Sequence, residues 1–306
     1  MSRILVLGRS GQVATALVPR LRADGHEVEA VGRAEVDLAN PLAARDAVLA
    51  RRPDLVINAA AYTAVDRAEI EEAAAMALNA DGPAAAAAAA ASLGAPFIHF
   101  STDYVFDGEK GEPYTETDAT NPLGVYGRSK LLGEEALAAA NPRSVILRTA
   151  WVCSPHGANF LKTMLRLAAE REELGVVDDQ RGKPTFARDL ADVAALIAPA
   201  ALTSGAPDTW GVFHVASRGE TTWCGFARAI MEGSLARGGP ACRVRAISTE
   251  DYPTPARRPP DSRLATGHLE RVYGVSMPDW REALEDCLDI LLGPIKTGSI
   301  KARKTS

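Results

Sequence analysis

The chain has 306 residues, of which 47% are hydrophobic and 24% charged, and a formal net charge of −5. That is the make-up of a globular protein with ample core, long enough for one large domain or two unequal ones. Basic residues gather only at the extreme C-terminus and no apolar run is long enough to span a bilayer, which argues against nucleic-acid and membrane partners.

Four cysteines, Cys153, Cys224, Cys242 and Cys287, have neither C-x-x-C nor metal-ligand spacing. They read as reduced thiols of a cytoplasmic protein, and no residue stands out as a metal ligand. The N-terminus is a polar triplet followed by a short apolar run, unlike a signal peptide.

Arg3–Leu7, R-I-L-V-L, reads as a buried central strand bounded by Gly8. The loop from Gly8 through Arg9, Ser10, Gly11, Gln12 and Val13 leads into an apolar-periodic helix, with Ala14 at a third small position. A glycine-rich loop between strand and helix is the context of a dinucleotide pyrophosphate site. Glu27–Val31 is the second strand, and Arg33 follows it where an acidic residue usually holds an NAD ribose. Two guanidiniums, Arg9 and Arg33, suit a 2′-phosphate and favour NADPH, while Glu35 leaves NADH use open.

Pro41–Arg51 reads as a helix capped by Asn40, and residues 54–61 as a strand running out into small residues. Residues 71–92 form an alanine-rich helix, with Gly82-Pro83 as a candidate point of interruption. The fourth strand, residues 97–100, ends at Ser101-Thr102-Asp103, at the end of a parallel sheet where ligands bind. Thr102 is therefore a candidate donor to a substrate oxygen. Residues 144–148 are the fifth strand. This βαβ alternation implies an α/β fold, a Rossmann-type doubly wound parallel sheet with helices on both faces.

Between the fourth and fifth strands lies Tyr126-Gly127-Arg128-Ser129-Lys130. Residues four apart share a helix face, so Tyr126 and Lys130 point the same way. An ammonium beside a phenol lowers its pKa from about 10 and equips it to exchange a proton with a carbonyl or alcohol oxygen. Two exposed side chains on an ordinary helix would show the same spacing, so the pair alone decides little.

After Trp151 the pattern loosens. Helices are expected over residues 158–171, 188–202, 222–235 and 279–292, with strands at 175–177 and 211–215. The proline-rich residues 252–260 read as a loop, and the basic residues 296–306 as a disordered tail. The expected division is a cofactor domain, residues 1–152 with 188–216, and a smaller C-terminal substrate domain, 153–187 with 217–295.

The glycine loop, N-A-A-A after the third strand, Ser-Thr after the fourth and Y-x-x-x-K together resemble the extended short-chain dehydrogenase/reductase family. S-T-D-Y-V-F-D-G, V-Y-G-R-S-K-L-L-G-E, D-D-Q-R-G-K-P-T-F-A-R-D-L-A and R-R-P-P-D-S-R-L resemble its dTDP-4-dehydrorhamnose reductase branch, from Arg3 to about Leu292. The resemblance implies hydride transfer from NADPH to C4 of a nucleotide keto sugar, the last step of dTDP-rhamnose formation. It implies Tyr126 as the acid, Lys130 as its partner and ribose contact, and Thr102 on the same oxygen. It further implies Asp37-Leu38 at the adenine, Ala59, Ala60 and Ala61 beneath the cofactor, and Asp103, Val105, Trp151, Arg258 and Ser262 toward the sugar nucleotide. Asp179-Gln180 and Lys183-Pro184-Thr185 read as structural residues at the domain seam. Some relatives dimerise through magnesium held by glutamates, one of them on the first helix; here that helix reads Val13-Ala14-Thr15-Ala16, so a monomer or weak metal-independent homodimer is expected. An epimerase or dehydratase shares the glycine loop and Y-x-x-x-K, but no Glu follows Thr102-Asp103. A regulatory subunit like that of methionine adenosyltransferase is a non-enzymatic alternative.

Overall fold

The computed structural model of this chain describes residues 1–203 and 206–295, and the expectation for residues 296–306 lies outside them. Strand β1 (Arg3–Leu7) feeds α1 (Gln12–Ala23), followed by β2 (Glu27–Val31), α2 (Pro41–Arg51) and β3 (Leu55–Asn58). Next come α3 (Val65–Ala68), α4 (Glu72–Met76), α5 (Gly82–Ser92), β4 (Phe97–Thr102), α6 (Val125–Ala140) and β5 (Ser144–Thr149). The second half contains β6 (Val152–Cys153), α7 (Phe160–Ala168), β7 (Glu173–Val177), β8 (Arg181–Gly182), β9 (Thr185–Phe186) and α8 (Ala187–Leu202). It closes with β10 (Gly211–His214), β11 (Thr221–Thr222), α9 (Trp223–Ala236), β12 (Arg243–Ile247), α10 (Gly267–Tyr273) and α11 (Trp280–Leu292).

Six strands form one parallel sheet in the order β2-β1-β3-β4-β5-β10. Successive side chains of a strand face opposite sides. On β1, Ile4 and Val6 therefore join Leu17, Leu21 and Leu190 of α1 and α8, while Leu5 and Leu7 join Ala44, Ala86 and Leu137 of α2, α5 and α6. Helices on both faces explain why the central strands read as unbroken apolar runs. Chain direction across the sheet reverses between β1 and β3, which opens a crevice at their carboxyl ends.

A separate core forms around Leu161, Leu174, Phe226, Trp280 and Leu288 of α7, β7, α9 and α11. Strand β12 pairs in parallel with β7 beside it.

Three features differ from the sequence reading. The alanine-rich stretch does not break at Gly82-Pro83; it stays helical by inserting one π turn, Ala77–Asp81, between α4 and α5. Pro83 then falls in the first turn of α5, where a missing N–H is tolerated, and the π turn absorbs the extra residue ahead of it. Strand β12 was not expected, because none of its residues is fully buried and the apolar signal is weak. Helix α10 buries only Leu269 and is invisible to periodicity for the same reason.

Candidate active site

Gly8 leaves β1 with a φ of 115° and donates its N–H to the Val31 carbonyl oxygen at 2.8 Å. A Cβ on Gly8 would sit 3.1 Å from the Ala59 carbonyl carbon and the Ala60 nitrogen, so the turn and the stretch after β3 are in close contact. Gly11 caps α1 without a side-chain acceptor, and the first turn holds no acidic residue. Free N–H groups and the positive end of the helix dipole thus face the crevice, a fit for a dinucleotide pyrophosphate. Ser10 is exposed on this turn, and Val13 packs back on the core. The Gln12 Oε1 accepts from Asn159 Nδ2 at 2.8 Å, tying the turn to the start of α7.

The Arg9 guanidinium donates to the Ala30 carbonyl oxygen at 2.9 Å and ion-pairs with Glu35. The other Glu35 oxygen accepts from the Gly32 N–H at 2.9 Å; that bond first, with help from Arg9, holds the carboxyl below its ordinary pKa against the opposing effect of burial. Arg33 and Asp37 are exposed beside it, whereas the Leu38 side chain is buried in the core. An acid and two guanidiniums share this corner.

Helix α6 is brought onto β4 by what its residues lack. A Cβ on Gly127 would lie 2.2 Å from the Tyr104 carbonyl oxygen, so only glycine permits this approach. Glu69 Oε1 accepts the Val125 N–H at 2.8 Å and caps the helix from outside. Asn79, in the π turn, donates to Ser129 Oγ at 2.9 Å and accepts the Tyr62 N–H at 2.8 Å, locking α6 to the alanine-rich helix.

The Tyr126 phenol consequently meets the Thr102 hydroxyl. Its ring lies edge-on to Tyr104, centroids 5.8 Å apart. Burial pushes the phenol up to about 12; the Thr102 hydrogen bond works against that and the Asp103 charge adds to it.

The Lys130 amine is anchored on β4. Its Nζ lies 2.9 Å from His99 Nε2 and 2.7 Å from the Phe100 carbonyl oxygen, and the residue is 1% exposed. Spacing aligns the two Cα–Cβ bonds, but the flexible lysine stem carries the amine across to β4. Burial draws Lys130 down to about 8, opposed by Glu134 one turn along.

Asp103 is almost wholly buried. One carboxyl oxygen accepts from Thr102 Oγ1 at 3.1 Å and the other has no hydrogen-bond partner, with Ser262 lying beside the group. Burial pushes this carboxyl up to about 7, opposed by Ser262 and Thr102. Val105 is fully buried among Phe106, Tyr114, Ala150 and Leu264, so its side chain turns into the core rather than toward a sugar pocket. The apolar residue packs where aromatic neighbours exclude water.

Trp151 remains partly exposed after β5 and stacks on Trp223. Arg258 is held by Asp66 at 2.7 Å and lies beside Tyr104, so it borders the site through that ring. Ser262 is buried, whereas its neighbours Asp261 and Arg263 pair with each other and Arg263 with Glu220. Asp179 accepts from Thr249 and Gln180 donates to it, which makes them structural ties.

Sequence reasoning missed Asn58, Asp66, Asn79, His99, Tyr104 and Trp223. Asn79, a polar residue inside an alanine run just before Gly-Pro, carried a usable signal. A lone histidine in an apolar strand and a distant tryptophan carried none.

A doubly wound parallel sheet with a glycine turn at its switch point, and a tyrosine–lysine helix against the end of β4, defines the short-chain dehydrogenase/reductase class of dinucleotide-dependent oxidoreductases. Residues 1–292 match the family described as RmlD substrate binding domain, and the chain belongs to that family. A relative from Sinorhizobium fredii, named dTDP-4-dehydrorhamnose reductase, is 48% identical over 92% of this chain and 95% of its own. A crystal structure of a dTDP-4-dehydrorhamnose reductase from Clostridium acetobutylicum superposes with a TM-score of 0.88 at 39% identity, covering 94% of this chain and 99% of that one. One from Bacillus anthracis in complex with NADP gives 0.87 at 33% identity, covering 94% and 98%. Among the described residues, no helix is long and apolar enough to cross a membrane.

Proposed function

We propose that this chain reduces the C4 keto group of dTDP-4-dehydro-L-rhamnose to dTDP-L-rhamnose with NADPH, accepting NADH less readily. The observation that carries this is the Thr102–Tyr126 hydroxyl pair at the end of β4, beside the dinucleotide crevice, in a chain whose relatives carry that enzyme name over nearly full length. The nicotinamide, when bound, supplies the hydride.

Tyr126 donates its phenolic proton to the developing C4 alkoxide. Burial keeps the phenol protonated at neutral pH, the state from which it can donate. Thr102 hydrogen-bonds the same oxygen and orients it. Lys130 contributes charge near the phenol once it leaves His99. Residues Gly8 to Val13 hold the pyrophosphate, Arg9 and Arg33 the 2′-phosphate, Asp37 and Leu38 the adenine, and Ala59 to Ala61 the cofactor's underside. Asp103, Trp151, Arg258 and Ser262 serve the sugar nucleotide. Residues 1–152 with 188–216 act as the cofactor domain, and 153–187 with 217–295 as the substrate domain. The assembly is a monomer or a weak dimer needing no metal; sedimentation that shows a chelator-sensitive dimer would refute this.

The test is NADPH oxidation by the chain alone, given enzymatically made dTDP-4-dehydrorhamnose. Prompt oxidation with dTDP-rhamnose as product supports the reading. Tight NADPH binding without oxidation overturns it in favour of a regulatory role.

A further inference from the structure

Behind the Tyr126 helix, three buried side chains stand in line. The Ala60 N–H donates to Asn58 Oδ1 at 3.0 Å, and Asn58 Nδ2 lies 3.0 Å from His99 Nδ1. His99 Nε2 lies 2.9 Å from Lys130 Nζ, which is also 2.7 Å from the Phe100 carbonyl oxygen. Asn58, His99 and Lys130 are 2%, 0% and 1% exposed, so their polar atoms are partnered by protein groups rather than by solvent.

The proton count along this line has one solution. A backbone N–H only donates, so the Asn58 oxygen faces Ala60 and its NH2 faces His99. His99 Nδ1 must then accept. A neutral imidazole carries a single N–H, which is therefore on Nε2, aimed at Lys130. An ammonium has donors only, so Nε2–H and a charged Lys130 would face each other donor to donor. The contact is a hydrogen bond when Lys130 is an amine, accepting from Nε2–H and donating to Phe100. An imidazolium is no escape, since its Nδ1–H would face the Asn58 NH2 donor to donor, and burial holds His99 well below its ordinary pKa.

We propose that Asn58 and His99 are positioning residues that hold Lys130 as a neutral amine in the cofactor-free enzyme. The tyrosine is then left without its cationic partner until the lysine is protonated and released. This rests on the placement of Lys130 in the catalytic site above. The groups facing the lysine are His99 on β4 and Glu134 on α6; Glu134 is in turn held by Arg148 of β5 at 2.6 Å and by Ser101 of β4.

The direct test is long-range proton–nitrogen NMR of the histidine rings of the full chain, with His99 assigned through His99→Gln. The Nε2–H tautomer is expected; an Nδ1–H tautomer overturns the proposal whatever the enzyme's activity. The second test is Asn58→Asp, which is isosteric. Its carboxylate accepts from both Ala60 and His99 Nδ1–H, so Nε2 loses its proton and becomes an acceptor for the ammonium. Activity that needs a charged Lys130 is lost as pH rises through the lysine's pKa, so a raised pKa moves that loss upward. The alkaline limb of kcat/KM for NADPH, which reports the free enzyme, is expected to rise by about one pH unit or more. His99→Gln, offering an amide oxygen to the ammonium, should move it the same way if Asn58→Asp does not fold. An unmoved limb in active enzyme overturns the proposal. A wild-type chain inactive on every keto sugar overturns the functional reading instead, while the tautomer still tests the chain of contacts.

Discussion

Trp151 and Trp223 lie face to face, ring centroids 3.5 Å apart and planes 9° from parallel. Trp151 holds a φ of 45°, in the left-handed region that bulky residues rarely enter. Such strain persists where the surroundings enforce it. Here they include Trp223 at the start of α9 and Gly182, where a Cβ would fall 2.4 Å from the Trp151 ring. Phe160 extends the aromatic wall, 4.6 Å from Trp223. Trp223→Ala is expected to cost about 1–3 kcal/mol of stability. It should also raise KM for the sugar nucleotide on the order of tenfold, with KM for NADPH unchanged; denaturant titration and steady-state kinetics check both.

Tyr126→Phe removes the proton donor and keeps the ring that packs on Tyr104. Turnover should drop by at least ~100-fold, the scale of general acid catalysis. NADPH affinity, read by fluorescence titration, should hold. Near-normal turnover would remove Tyr126 from the acid role.

Asp103 titrates about 7 instead of the ordinary 3.8 because it is buried. Between those values the folded chain binds a proton that the unfolded chain has lost. The stabilising share of the protonated form is therefore full below the lower value and gone above the higher one. Asp103→Asn should raise the unfolding free energy above about pH 7, by an amount on the order of a few kcal/mol, and change it little near about pH 4. Equal shifts at both pH values would show that the carboxyl is not the cause.

Coenzyme choice turns on the corner formed by Arg9, Arg33 and Glu35. Arg33→Ala should weaken NADPH more than NADH. Glu35→Ala frees Arg9 from its ion pair and should shift preference further toward NADPH, by roughly a few-fold in the KM ratio. Parallel losses for both coenzymes would refute a 2′-phosphate role.

The local signals carried far. Each central strand of the sheet was legible as an apolar run, and α2 as a helix opened by Pro41 and capped by Asn40, because those patterns depend on neighbours in sequence. The glycine turn, Thr102 at a strand end and Tyr126 on its helix were legible for the same reason. What escaped was whatever depends on side-chain reach. Val105 looked like a pocket residue and is core, and Arg258, expected toward the sugar nucleotide, is held by Asp66.

By itself the sequence determined the parallel sheet, the dinucleotide turn and the tyrosine–lysine helix, since backbone conformation and burial periodicity follow from residue order. Only the tertiary structure decided where the protons sit. Strands β3 and β4, the turn after β4 and helix α6 bring Asn58, His99, Thr102, Asp103 and Lys130 into one desolvated space. There, hydrogen-bond partners from distant parts of the chain set each group's charge, and no spacing in the sequence encodes that distance.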